Sequence, residues 1–173
     1  MNINRFVLFF TASIYILDMA SPEGHPQAMK AKKASLPGYE LIDTTADLGF
    51  IARGADLIEL FKNAFAAIDT LLFPDRKIMT FHQMNSREMS LNSQSPEVLL
   101  IDFLNALLFH IYTESVMIIG IDIQAITPTT LNMRMDTSPW TSPPQLEIKA
   151  ATHHLLQITK KNTLLEARVY LDI

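Results

Sequence analysis

Apolar residues recur at helical spacing in two stretches of this chain and alternate with polar residues through much of the rest. Leu57, Leu60, Phe61, Ala64, Phe65, Ile68 and Leu71 follow the helical rhythm. Asp56 before them, with Glu59 three residues on, fits a capping box in which an aspartate replaces the usual hydroxyl residue. Pro74 stops this helix. The second begins at Ser95-Pro96-Glu97: a capping hydroxyl, a proline at the first helical position and an acid in the first turn. It is predicted to run through Val98 to about Thr113. Leu99, Leu100, Phe103, Leu104, Leu107, Leu108 and Ile111 cover most of its circumference, so more than one side must be covered by other elements.

Short strands are predicted at residues 39–42 and 50–53, the latter closed by Gly54, and at 87–91. Residues 116–126 form a β-rich run interrupted by Asp122, and 131–135 alternate apolar and polar side chains. Three prolines and weak periodicity predict a loop over 136–144. Residues 146–158 and 164–173 read as two strands, joined as a hairpin by the polar stretch 159–163. Two helices among seven or eight strands imply a single α+β domain with a mostly antiparallel or mixed β-sheet.

The two ends of the chain carry separate expectations. Residues 6–17 are an apolar run after Arg5, too short for a comfortable transmembrane helix. The run resembles the core of a signal peptide, but Asp18 falls where a small residue is wanted before a cut after Ala20. Three readings stay open: an over-extended start with Met29 as the true one, a dispensable extension, and an export signal. Residues 1–36 are set aside as an N-terminal extension and 37–173 are taken as the domain. No membrane is expected unless that segment is a real signal. At the other end the last strand runs up to Asp172-Ile173. Termini are usually the frayed part of a domain, so this ending is itself a candidate functional group.

Composition narrows the chemistry. Hydrophobic residues make up 49% of 173, which excludes a disordered chain and suits one buried core. Net charge is −4, and no block of like charges stands out. A basic nucleic-acid footprint is therefore lacking, and any RNA is expected to be met through a partner. There is no cysteine, which removes disulfides, zinc thiolates and thiol nucleophiles. No glycine-rich phosphate loop, nucleophile elbow or helical histidine pair is found. This favours a non-enzyme.

Some residues still merit attention. Asp43 and Asp47 flank Thr44, Thr45 and Ala46 in the connection between the first two strands. Such a turn can present oxygens to a hard cation, or its acids can simply cap backbone amides. His153 and His154 are adjacent, so on a strand they face opposite ways. Lys149, four residues before His153, would share its face and could hold an anion or a partner's acid, or be an ordinary solvated lysine. His82 and His110 have no partner visible in the sequence. Trp140 either contacts a partner or folds back onto the sheet. The methionines and phenylalanines read as core.

Residues 39–54 (YELIDTTADLGFIARG) resemble the opening of the archeases, where a Tyr-Glu strand leads to Asp-His-Thr-Ala-Asp-x-Gly and a second strand. The segment from Asp56 to Phe65 resembles the family's next element. LLIDFLNALLFHIYTE, ending at Glu114, is similar to its second helix, including Leu104-Asn105 and Thr113-Glu114. IKAATHH, from Ile148, is similar to its IKAxTYH strand, and the chain closes on Asp-Ile as the family does.

The resemblance implies a small cytoplasmic protein that assists the GTP-dependent tRNA-splicing RNA ligase. That ligase joins ends bearing a 3′-phosphate or a 2′,3′-cyclic phosphate to 5′-hydroxyl ends, after taking GMP onto a histidine. The family's role is to promote ligase guanylylation and multiple turnover. The resemblance also implies a bound divalent cation, calcium above all, with Asp47, Asp172 and Ile173 as ligands. Lys149 matches a functional lysine of the family, and Asp43 and His154 are carried as contact residues. Departures are Thr44 where the family has histidine, His153 where it has tyrosine, and the N-terminal extension. Two aspartates and a terminal carboxylate packed together would repel unless a cation or a proton intervened. The alternatives are a small metal-dependent hydrolase using the Asp47/Asp172 cluster, and an exported binding protein.

Overall fold

A computed structural model describes residues 9–10, 13–14, 38–43, 48–76, 81 and 83–173, with the main chain alone at 9–10, 13–14 and 43. The chain divides into two compact units, Met1–Pro37 and Gly38–Ile173. In the first, β1 (Phe9–Phe10) pairs antiparallel with β2 (Ser13–Ile14).

Among the described residues, the second unit holds two helices and eight strands. Helix α1 (Leu57–Leu72) starts where the capping pattern predicts: Asp56 accepts the Glu59 N–H at 2.9 Å. The Glu59 carboxylate reaches back to the N–H of Ala55 at 2.6 Å, so the box closes one residue before the cap. Helix α2 (Pro96–Glu114) is capped by Ser95, whose hydroxyl accepts the Val98 N–H. It ends at Ser115, left-handed at φ 55°, which turns the chain directly into β6.

One sheet orders β3 (Tyr39–Asp43), β4 (Leu48–Gly54), β10 (Leu164–Asp172) and β8 (Ala150–Thr152), with β9 (Ile158–Lys161) also on β10. The other orders β5 (Asn85–Asn92), β7 (Thr130–Pro139) and β6 (Val116–Ile126). Every pairing is antiparallel, so the α+β expectation holds. Helix α1 packs on β3, β4 and β10, while α2 lies against β8 and the three-stranded sheet. Phe61 and Phe103 join the helices, with ring centroids 5.2 Å apart. Each fully buried large apolar side chain of this core contributes roughly 1.5–3 kcal/mol. Helix α2 has the length and apolarity to span a bilayer, yet eight of its side chains are buried in this core.

Two expectations are corrected. Residues 136–139 are not loop but the end of β7, whose Thr137 pairs with Asn85 on one side and Ile118 on the other. A side chain buried between two strands tolerates polarity when it is bonded, and the Thr137 hydroxyl donates to the Asn85 carbonyl. Residues 146–158 are not one strand. Strands β8 and β9 lie in line along the same edge of β10, and residues 153–157 stand opposite only Arg168 and Val169. The surplus chain loops outward, with Leu155 left-handed at φ 51° and Leu156 N–H on the His153 carbonyl.

Candidate functional site

The candidate site is built at one end of the five-stranded sheet. Strand β10 is central: its Ala167, Val169 and Leu171 point into the core, and the alternate residues to Asp172 point away from it. Register sets Asp43, Leu48, Leu171 and Ala151 side by side across four strands. Residues 44–47, which join Asp43 to Leu48 and include the predicted ligand Asp47, lie outside the described residues. Their two chain neighbours both stand in that row. Strands β4 and β10 approach closely here, because a Cβ on Gly49 would meet the Val169 carbonyl oxygen at 2.3 Å.

Beyond this row the start of β8 and the end of β10 converge. Asp172 stands opposite Ala150, and its carbonyl accepts the Lys149 N–H at 2.8 Å. The Lys149 ammonium donates to the main-chain oxygen of Ile173 at 2.9 Å. Asp172, Ile173 and Lys149 are all exposed. Three of the residues singled out in the sequence are thus brought together. Asp43 contributes its main chain to the row.

His154 is placed elsewhere. Its ring tilts against Tyr170, centroids 5.6 Å apart, two residues back along β10 from Asp172. His153 and His154 both sit in the outward turn after β8, exposed, so neither the opposite-face reading nor the shared face of Lys149 and His153 survives. His82 lies outside the described residues. His110 has a partner the sequence did not reveal, the Glu114 carboxylate at 3.0 Å. Trp140 folds back, its ring 6.4 Å from Phe73, and borders a hollow of about 220 Å³ lined also by Gln83, Ser138, Pro139 and Thr141.

Two residues of α2 hold the Lys149 segment in place and were not singled out. The Asn105 amide accepts the Ala151 N–H at 2.8 Å and donates to the Ala151 carbonyl at 3.1 Å. The Tyr112 hydroxyl accepts the Ile148 N–H at 2.8 Å and donates to the Leu146 carbonyl at 3.4 Å. Burial pushes the Tyr112 hydroxyl above its ordinary pKa, against the pull of the Ile148 bond, so it stays protonated at neutral pH. The signal for Asn105 was present: an amide in the middle of a greasy helix needs partners for both of its ends.

The oxygen-only donors of Asp172 and Ile173 suit a hard divalent cation in chemical type. Among the described residues, no three acidic or histidine side chains converge as a complete metal cluster. The set depends on Asp47 for a further carboxylate. Such a cation would share the Ile173 oxygen with Lys149 or displace its ammonium.

The chain matches a family model, the Archease protein family, over residues 39–173. It is 29% identical over 146 residues to the protein archease of Methanothermobacter thermautotrophicus, covering 80% of this chain and 100% of that one. To the protein archease of Methanosarcina barkeri it is 31% identical over 144 residues, 78% of this chain and 95% of that one. The solution structure of Methanobacterium thermoautotrophicum protein 1598 superimposes with a TM-score of 0.55 at 29% identity, over 79% of this chain and 99% of that one. A Thermotoga maritima crystal structure, described as an archease and possible chaperone, gives 0.54 at 19% identity, over 76% and 94%. This second likeness speaks for the fold alone.

Proposed function

The chain belongs to the archease family, and on that premise we propose that it is a non-catalytic activator of the GTP-dependent tRNA-splicing RNA ligase, acting in the cytoplasm. The observation that carries this reading is the family match over residues 39–173, nearly the whole of the unit Gly38–Ile173. The geometry supports it with a compact polar tip. Lys149, Asp172 and Ile173 meet, exposed, at one end of the five-stranded sheet.

The tip would enter the ligase and favour guanylylation and repeated turnover. Asp172, the Ile173 oxygen and Asp47 would hold a divalent cation, calcium in the first instance, and Lys149 would meet an anionic group of the partner or its nucleotide. The bound cation would supply concentrated positive charge at the tip. RNA would be met through the ligase, in keeping with the net charge of −4.

The test is ligation of RNA bearing a 3′-phosphate by purified ligase, with and without this protein. Product in excess of ligase, and faster ligase guanylylation, are the expected results. RNA joined or hydrolysed by this protein alone would overturn the reading in favour of an enzyme. An unchanged ligase would leave no activator role.

A further inference from the structure

We propose that Asn105 and Tyr112 are positioning residues, through which α2 fixes the reach of Lys149; its functional part rests on the ligase-activator reading, and its structural part does not. Strand β8 is three residues long and, among the described residues, pairs with β10 on one edge only. Three residues are the short end of the usual strand range. Its other edge would be an open row of main-chain donors and acceptors. Asn105 closes that edge as a neighbouring strand would, giving one acceptor and one donor to the same residue, Ala151.

Tyr112 anchors the stretch just before it, accepting the Ile148 N–H and donating to the Leu146 carbonyl. The two side chains stand seven residues apart on α2, two turns along one helix face, a rise of about 10.5 Å. Their targets, Ile148 and Ala151, stand three residues apart in extended chain, a span of about 10 Å. The spacings match, so both anchors can be satisfied without bending either element. Lys149 lies between the anchors, and its own N–H points the other way, to the Asp172 carbonyl. Its main chain is thereby held from both edges, and its ammonium falls on the Ile173 oxygen at 2.9 Å. The bonds of both α2 side chains go to the residues flanking Lys149. Both act through the placement of Lys149.

The experiment has two arms. Lysines are reductively methylated with a carbon-13 label, and the Lys149 signal is assigned from its loss in Lys149→Ala. In Asn105→Ala and in Tyr112→Phe that signal should move toward the sharp, averaged position of mobile surface lysines. In Met133→Ala, a core lesion in the other sheet, it should stay put. Ligase stimulation is then measured at saturating activator. Asn105→Ala should lose about tenfold, and Asn105→Ala with Lys149→Ala should be no worse than Lys149→Ala alone. A Lys149 signal unmoved in both α2 variants, or losses that simply add, would overturn the proposal. If Asn105→Ala does not fold, Tyr112→Phe, which removes only an oxygen, decides the first arm. If the wild-type protein fails to stimulate the ligase, the activator reading falls and the first arm alone decides the positioning.

Discussion

The main-chain N–H of Lys149, one residue before β8, lies 2.8 Å from the carbonyl oxygen of Asp172, the last residue of β10. This bond ties the segment before β8 to the end of the central strand and holds a lysine and an aspartate at one tip. Both side chains are exposed, so neither makes a large contribution to folding. Lys149→Ala and Asp172→Ala are therefore expected to change stability by no more than about 0.5 kcal/mol. Ligase turnover should fall sharply in both. Urea unfolding read beside multiple-turnover ligation checks the separation.

Calcium should stabilise the folded chain. A ligand at one hundred times its dissociation constant adds about 2.7 kcal/mol, enough to raise the melting temperature by several degrees. Asp47→Ala and Asp172→Ala should abolish the shift, whereas Asp136→Ala, on the other sheet, should keep it. A melting curve unmoved by saturating calcium would remove the cation from the picture.

Acid should weaken the fold through Glu166. A hydrogen bond from Lys161 comes first among the causes that hold its carboxyl below the ordinary glutamate range, and a bond from Arg53 at 3.1 Å adds to it. A depressed carboxyl stabilises at neutral pH. That contribution is lost as pH falls from the ordinary value of about 4.3 through the lower folded one. Asp69 acts with opposite sign: burial raises its pKa, against Arg76, so protonation on acidification relieves a cost. Unfolding midpoints recorded at intervals below pH 6 should fall less steeply in Glu166→Gln and more steeply in Asp69→Asn.

Gly49→Ala should disturb the sheet beside the tip. The added methyl would press on the Val169 carbonyl oxygen of the central strand, a main-chain atom that cannot swing aside. A loss of about 1–3 kcal/mol is expected, the usual cost of overpacking. Amide exchange should quicken first at Leu48 and Leu171, the adjoining pair.

Phe61→Ala should cost about 3–5 kcal/mol, because the ring is fully buried and packs on Phe103 across the two helices. A midpoint shift much smaller than this in chemical unfolding would contradict that packing.

The sequence by itself determined the parts that depend on neighbours in the chain. Both helices begin at the predicted caps, Asp56 and Ser95, because a cap is a bond between residues three apart. Residues 116–126 are β6 as expected, and the archease resemblance held over residues 39–173. The tertiary structure decided what depends on residues far apart. It extended β7 through Thr137, since a buried hydroxyl was satisfied by Asn85, 52 residues away in sequence. It broke the 146–158 run in two, since β10 offers only Arg168 and Val169 opposite 153–157. It moved His154 onto Tyr170 and carried Lys149 to Ile173. It also gave Asn105 its purpose, as an amide 46 residues from Ala151 closes the edge beside Lys149. Alternation and capping are written locally, whereas register and edge closure are set only when distant segments compete for the same hydrogen bonds.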